Sequence, residues 1–218
     1  MNADNTETTA VELKNIKINF NNRTVLDIPS LTFFQGEIIS LVGHNGSGKS
    51  TLLKLIAGIL QPESGSTTAN GTIIYQPQYP KIFHMKAIEN AMLGMRHNDK
   101  VRAEELLNRC GIKREDFEKR GDKLSGGQKQ RVFLVRTLLA DGEIILLDEP
   151  FASMDVQSKN EIEDMFFAYC REHKKTLILS SHSHSTSKKA GNVCIYIESS
   201  ICKRTDTEEA LSLYSKMN

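Results

Sequence analysis

One stretch limits what this chain can become more than any other. Gly43-His44-Asn45-Gly46-Ser47-Gly48-Lys49-Ser50-Thr51 fills every fixed position of the phosphate-binding pattern GxxxxGK[ST]. A loop that wraps a di- or triphosphate must aim several backbone N–H groups inward, and glycines permit the dihedrals and the close approach that this needs. Lys49 adds a point charge between phosphates, Ser50 offers a hydroxyl to Mg²⁺, and the residues after it begin a helix whose N-terminal dipole end favours an anion. The flanks agree. Ile38-Ile39-Ser40-Leu41-Val42 is a short apolar strand, and Leu52, Leu53, Leu55, Ile56, Ile59 and Leu60 recur at helical spacing. The alternative, a glycine-rich turn that binds nothing, leaves this strand–loop–helix context without a purpose.

At 218 residues the chain can bury a full core as one domain, or one domain with a lobe. Lysine plus arginine number 28 against 27 aspartates and glutamates, so nothing in the balance points to a polyanion such as nucleic acid. The apolar run Ile144-Ile145-Leu146-Leu147 is far short of the about 20 residues a membrane span needs. Met1 to Ala10 carries Asp4 and Glu7 with no basic start and no apolar run, so it reads as a frayed end and not a secretory signal. Cys110, Cys170, Cys194 and Cys202 form no CxxC pair, which argues for reduced, mostly buried thiols over a zinc or redox site.

In chain order, Val11 to Phe34 alternates apolar and polar residues around Asn21-Asn22 and predicts a small antiparallel sheet. Phe20, just before that turn, is placed to expose an aromatic face on which a base can stack, or to serve as a plain core residue. After the first helix, Thr72-Ile73-Ile74-Tyr75 is a strand running into Gln76-Pro77-Gln78-Tyr79-Pro80; a strand's carboxyl edge is where open α/β sheets place ligand contacts. Lys81 to Leu124 turns helical, charged and strand-free, with Met85, Ile88, Met92 and Met95 on one face, as lobe core or as a partner groove. Leu124-Ser125-Gly126-Gly127-Gln128-Lys129-Gln130-Arg131 opens another helix. Ser125 and Gln128 make a capping box there, and the same bare glycine amides make an anion site; physics alone leaves both readings open.

Glu143-Ile144-Ile145-Leu146-Leu147-Asp148-Glu149-Pro150 is an apolar, doubly covered strand ending in two carboxylates. Asp148 is placed to hold Mg²⁺ through water beside Ser50, and Glu149 to polarise an attacking water. Thr176 to Ser180 is a further buried strand followed by Ser181-His182-Ser183-His184, where a strand-end histidine facing the phosphates outweighs a metal site. Val193 to Ile197 is a last strand and Thr207 to Lys216 a short helix.

The phosphate loop, the Leu124-Ser125-Gly126-Gly127-Gln128 segment and the strand ending Asp148-Glu149 together resemble the ATP-binding cassette (ABC) family of transport ATPases over nearly the whole chain. The resemblance implies an α/β fold: a P-loop NTPase (RecA-like) core of mainly parallel sheet, with a small N-terminal antiparallel β subdomain and an inserted α-helical subdomain. As one domain, 1–218, it divides into 11–34 for the antiparallel part, 35–78 and 141–218 for the core, and 79–140 for the helical part with the signature. It implies ATP and Mg²⁺ as ligands. Gly43 to Thr51 would bind the phosphates and Phe20 would stack on adenine; Ser50, Gln78 and Asp148 would serve the metal. Glu149, His182, Gln78 and Lys49 would be catalytic, with His182 as the switch histidine. Ser125, Gly126, Gly127 and Gln128 would touch ATP held by a second subunit, and Asp155, in Phe151-Ala152-Ser153-Met154-Asp155, would couple the two sites; Gln76 falls two residues out of register with Gln78.

The partners so implied are a second ATPase subunit, most simply an identical one, separate transmembrane permease subunits and, for an importer, a solute-binding protein, with no nucleic acid. The location implied is cytoplasmic, peripheral on the inner face of the cell membrane. The family commonly has Thr-His-Asp where this chain has Ser181-His182-Ser183, and a glycine turn near Glu198-Ser199-Ser200, which bears on local strand pairing. The compact length resembles small importer cassettes, and Val25-Leu26-Asp27-Ile28-Pro29 resembles importers of oxyanions such as tungstate. The competing expectations are a soluble cassette ATPase acting on ribosomes or DNA, and a small-molecule P-loop kinase, which would leave LSGGQ and His182 without a role.

Overall fold

The computed structural model describes residues 8–95, 97–152 and 154–216; most of the expected frayed start, residues 1–7, and Ser153 lie outside the described residues. The strands and α-helices run β1 (Thr9–Phe20), β2 (Arg23–Phe34), β3 (Ile38–Val42), α1 (Lys49–Ile56), β4 (Ser64–Ala69), β5 (Ile73–Gln76), α2 (Ala87–Met92), α3 (Lys100–Arg109), α4 (Gly126–Leu139), β6 (Ile144–Asp148), α5 (Val156–Glu172), β7 (Thr176–Ser180), α6 (His184–Ala190), β8 (Val193–Glu198), β9 (Ile201–Asp206) and α7 (Thr207–Lys216).

β1 and β2 form a hairpin whose two-residue turn, Asn21-Asn22, has both φ values positive (50° and 61°), a conformation asparagine tolerates. Cross-strand partners Val11↔Phe33, Leu13↔Leu31, Ile16↔Ile28 and Ile18↔Leu26 are all buried, so the period-2 pattern fixes the register. β4 adds antiparallel to β1, with Leu13 opposite Thr67. The sequence reading did not find this strand, and its residues fall inside the span 35–78 assigned to the core; structurally they belong to the antiparallel sheet. Ser-Gly-Ser-Thr-Thr-Ala has no apolar face because β4 is an edge strand, exposed along most of its length.

The second sheet has the order β5-β6-β7-β3-β8-β9, parallel except for β9. Its faces are covered separately. Ile144 and Leu146 of β6 pack with α1 and the antiparallel sheet, whereas Ile145 and Leu147 pack with the helical side. Burial on both faces is why the strand reads as a continuous apolar run. The helical lobe shares that second cluster: Ile88, Leu107, Val132 and Val135 are buried with Ile145 and Leu147. Met92 and Met95 pack against it, while Met85 is half-exposed and not part of it. In 81–124 the described residues hold no strand beyond an isolated bridge between Lys86 and Arg120.

Two boundaries differ from expectation. α1 stops at Ile56 because Gly58 turns left-handed (φ 70°), so Ile59 is 61% exposed and does not extend the apolar face. β8 is not the last strand: it pairs with β9 from Glu198↔Ile201 to Val193↔Asp206. The turn between them, Ser199-Ser200, has φ values of 48° and 73° without glycine. Ser200 Oγ donates to the Thr24 carbonyl (2.7 Å) and its own carbonyl accepts from Asp27 N–H (2.8 Å), tying the hairpin to β2. Cys110, Cys170 and Cys194 are buried and Cys202 half-buried, and burial pushes their thiols up to about 12, 12, 11 and 12. Among the described residues no helix is long and apolar enough to cross a membrane.

Candidate functional site

The parallel order β6-β7-β3 brings three strand ends together: β3 runs into the phosphate loop, β6 into Asp148-Glu149-Pro150, and β7 into Ser181-His182. A cleft of about 260 Å³ opens there, lined by Asn45, Gly46, Gly48, Lys49, Ser50, Thr51, Gln78, Glu149 and His182. The loop needs its glycines. Gly46 and Gly48 have φ of 77° and 110°, and a Cβ on Gly43 would lie 2.5 Å from the Ile197 carbonyl oxygen. Gly48 is the N-cap of α1 and brings no side chain to the free amides of the first turn, which also holds no acid.

Lys49 is 6% exposed and donates to the carbonyls of Gly43 (2.7 Å) and His44 (2.9 Å), so the loop curls around its ammonium. Burial pulls its pKa down, opposed by the charges of Glu149 and Asp148. Asp148 Oδ1 accepts from Ser50 Oγ (3.0 Å) and Ser180 Oγ (2.7 Å), and Ser180 Oγ also accepts from Glu149 N–H (3.0 Å). Ser180 escaped the sequence reading, where it was only the last residue of an apolar strand; the available signal was a serine closing the strand beside Asp148-Glu149. Glu149 has φ 48°, left-handed for a residue that precedes proline, and its Oε1 lies 3.1 Å from His182 Nε2. Burial raises the Glu149 pKa, opposed by His182 and Lys49 and assisted by Asp148. Gln78 lines the cleft, whereas Gln76 is 4% exposed and accepts from Thr137 Oγ1 (2.8 Å), which fixes it in the packing. Phe20 stands apart from these residues at the end of β1, 47% exposed.

Ser125, Gly127, Gln128 and Asp155 are not in this cleft. They line a second one of about 470 Å³ with Gly111, Lys113, Asp116, Arg131 and Met154. The capping box at the start of α4 is present: Gln128 N–H donates to Ser125 Oγ (3.2 Å) and Ser125 N–H to Gln128 Oε1 (3.0 Å). Gln128 Nε2 donates to Asp116 Oδ2 (2.8 Å), so its side chain is held by its own subunit. Asp155 caps α5 by accepting from Ser158 N–H (2.9 Å), which holds its carboxyl below the usual range. A Cβ on Gly126 or Gly127 would meet nothing within 4 Å.

A family profile described as ABC transporter matches residues 26–152. The chain belongs to the ABC transporter family. It is 34% identical over 201 residues to the aliphatic sulfonates import ATP-binding protein of Burkholderia cenocepacia, covering 87% of this chain and 61% of that one. It therefore spans about three-fifths of the length of that relative. The tungstate uptake system ATP-binding protein of Peptoclostridium acidaminophilum is 33% identical over 205 residues, covering 87% of this chain and 94% of the relative. An ATP-binding cassette solved as a dimer in a post-hydrolysis state, bound to ADP and Pi, superposes with a TM-score of 0.81 at 24% identity, over 90% of this chain and 98% of that one. The ABC transporter fold, a P-loop NTPase core with an antiparallel sheet and a helical lobe, is the architecture described above.

Proposed function

We propose that this chain is an ATP-binding and ATP-hydrolysing subunit of an ABC importer, working as a dimer beneath separate membrane-spanning subunits. One observation carries the reading: Glu149, His182, Gln78, Lys49 and Ser50 line one cleft around a glycine loop whose helix amides are uncapped. The phosphates of ATP fit against those amides and the Lys49 ammonium, with Phe20 exposed to stack on the base. The donors suit Mg²⁺, which favours one or two carboxylates with nucleotide phosphates and water over an all-protein cage. Ser50 Oγ and Asp148 Oδ1 already converge to 3.0 Å, and Gln78 lines the same cleft. Bound there, Mg²⁺ would neutralise charge on the phosphates. Glu149 is the base for water, and His182 at 3.1 Å orients its carboxylate.

Gly126 and Gly127 support the dimer. Nothing in their own subunit crowds them, so the reason for two bare residues at a helix start lies outside it, in a close approach by nucleotide held on another copy. Asp155, beside them, links that surface to Glu149 through the short loop between β6 and α5. Relatives named for sulfonates, bicarbonate and tungstate, set beside one named for thiamine, favour an oxyanion as cargo, and the cassette would sit on the cytoplasmic face of the membrane.

Glu149→Gln tests the reading. It should keep ATP binding, lose about 100- to 10,000-fold in turnover and gather into an ATP-dependent dimer visible in sedimentation. Wild-type turnover in that variant removes Glu149 from the role of base.

A further inference from the structure

His184 lies outside both clefts, yet its ring is not isolated. Tyr214 of α7 places its ring 5.7 Å from that of His184, near perpendicular at 71°, and 5.0 Å from that of His44, tilted by 30°. Both fall within the 4.5–7 Å range in which aromatic rings attract. One side chain therefore touches the phosphate loop and the start of α6 at once.

α7 is well placed to use this contact. Thr207 anchors its start by donating N–H to the Asn192 carbonyl and Oγ1 to the Gly191 carbonyl, both at 2.8 Å. Ala210 and Leu211 are buried with Val42, Cys194 and Tyr196, and Val42 is the residue that leads into Gly43. Tyr214 follows Leu211 by three residues and so shares its face. On the loop side, the His44 carbonyl accepts from Lys49 Nζ (2.9 Å) and Ser47 N–H (3.1 Å), so the placement of residue 44 sets two bonds that shape the phosphate cradle. On the other side, His184 is two residues beyond His182, which reaches Glu149.

We propose that Tyr214 is a positioning residue for ATP hydrolysis: its ring clamps His44 and His184 and so holds the phosphate loop and the histidine segment in one fixed relation. The inference rests on the reading of the cleft as an ATPase site. A merely structural Tyr214 would support α7 alone; a positioning Tyr214 acts on nucleotide affinity through His44 and on turnover through His184. The two ring contacts are what carry this role.

The test measures ATP affinity by equilibrium binding and steady-state hydrolysis of the purified full chain. Tyr214→Leu keeps apolar bulk on α7 and removes the ring. It should weaken ATP binding and lower kcat by ~3- to 10-fold each at an unchanged melting temperature, while Tyr214→Phe matches the wild type. The affinity of Tyr214→Leu/His44→Ala should be no worse than that of His44→Ala alone. Wild-type affinity and turnover in Tyr214→Leu overturn the proposal, as does impairment of Tyr214→Phe equal to that of Tyr214→Leu, or full additivity with His44→Ala. A wild-type chain that binds no ATP overturns the functional reading and this inference together. ATP binding by the wild type beside an unimpaired Tyr214→Leu overturns this inference alone.

Discussion

The two clefts differ in what they leave unfinished. Around the phosphate loop, opposite charges meet in one partly buried place: Lys49 faces Asp148 and Glu149, and Glu149 faces His182. The signature cleft is larger, about 470 Å³ against 260 Å³, but its acids already have partners. Asp116 takes Gln128 and Lys119, and Asp155 takes the amide of Ser158. Gly127 in its lining and Gly126 beside it face open space. The first cleft has acid–base groups in working contact, and the second has a shape and bare amides. Under the proposed function, the difference is that between a reaction centre and a surface suited to receive something.

The sharpest way to break this contrast is Lys49→Ala. Loss of a buried charge against a polyphosphate should cost about 2–5 kcal/mol, a factor of roughly 30 to 5,000 in ATP affinity; calorimetric titration that finds wild-type affinity would deny the first cleft its ligand. Next in size, Ser125→Arg should abolish the ATP-driven dimer in sedimentation while ATP affinity of the monomer stays within about twofold, because the clefts do not share side chains. A dimer that survives the arginine would make the second cleft irrelevant to assembly.

A pH series sharpens the description of the first cleft. As the proposed base, Glu149 would act only once ionised, and burial raises its pKa. Turnover should climb with pH through a value above the usual carboxylate range. The stability sign runs the other way: the folded chain holds this proton more tightly than the unfolded chain, so the contribution present in acid is lost as pH rises through the raised value. Glu149→Gln should therefore raise the melting temperature at neutral pH, by about 2–4 °C if ~1 kcal/mol is recovered, and hardly change it in acid. The smallest effect belongs to the second cleft. Gly126→Ala and Gly127→Ala should each stabilise the isolated chain by up to ~0.5–1 kcal/mol in thermal unfolding yet lower turnover at concentrations where dimers form. Destabilisation instead would mean that these glycines serve their own subunit.

Much of the first cleft was legible because its residues follow strand ends, and strand ends are marked by apolar runs that stop at Gly43, Asp148 and Ser181. The second could be read as a capped helix or as an anion site, and the structure shows the cap formed while the glycines stay uncrowded. What local pattern could not reveal has physical causes. β4 is an exposed edge strand with no apolar face, and β9 follows a turn made without glycine and has no fully buried residue. α5 did carry a readable signal, with Ile162, Phe166, Phe167 and Cys170 buried on one helical face. Ser180 and Tyr214 belong to a different class: their roles come from partners far away in the chain, and no local period encodes those contacts.

Glu149 combines a left-handed backbone, which costs of order 1–3 kcal/mol outside glycine, with a following proline and a partly buried carboxyl whose ionisation burial disfavours. Glycine or asparagine would relieve the backbone, and any neutral side chain the charge. In a library of variants sorted only for folding, position 149 should drift away from glutamate sooner than the buried apolar residues of β6 just before it. A sort for turnover should restore it, so the two enrichment profiles should disagree most at this residue.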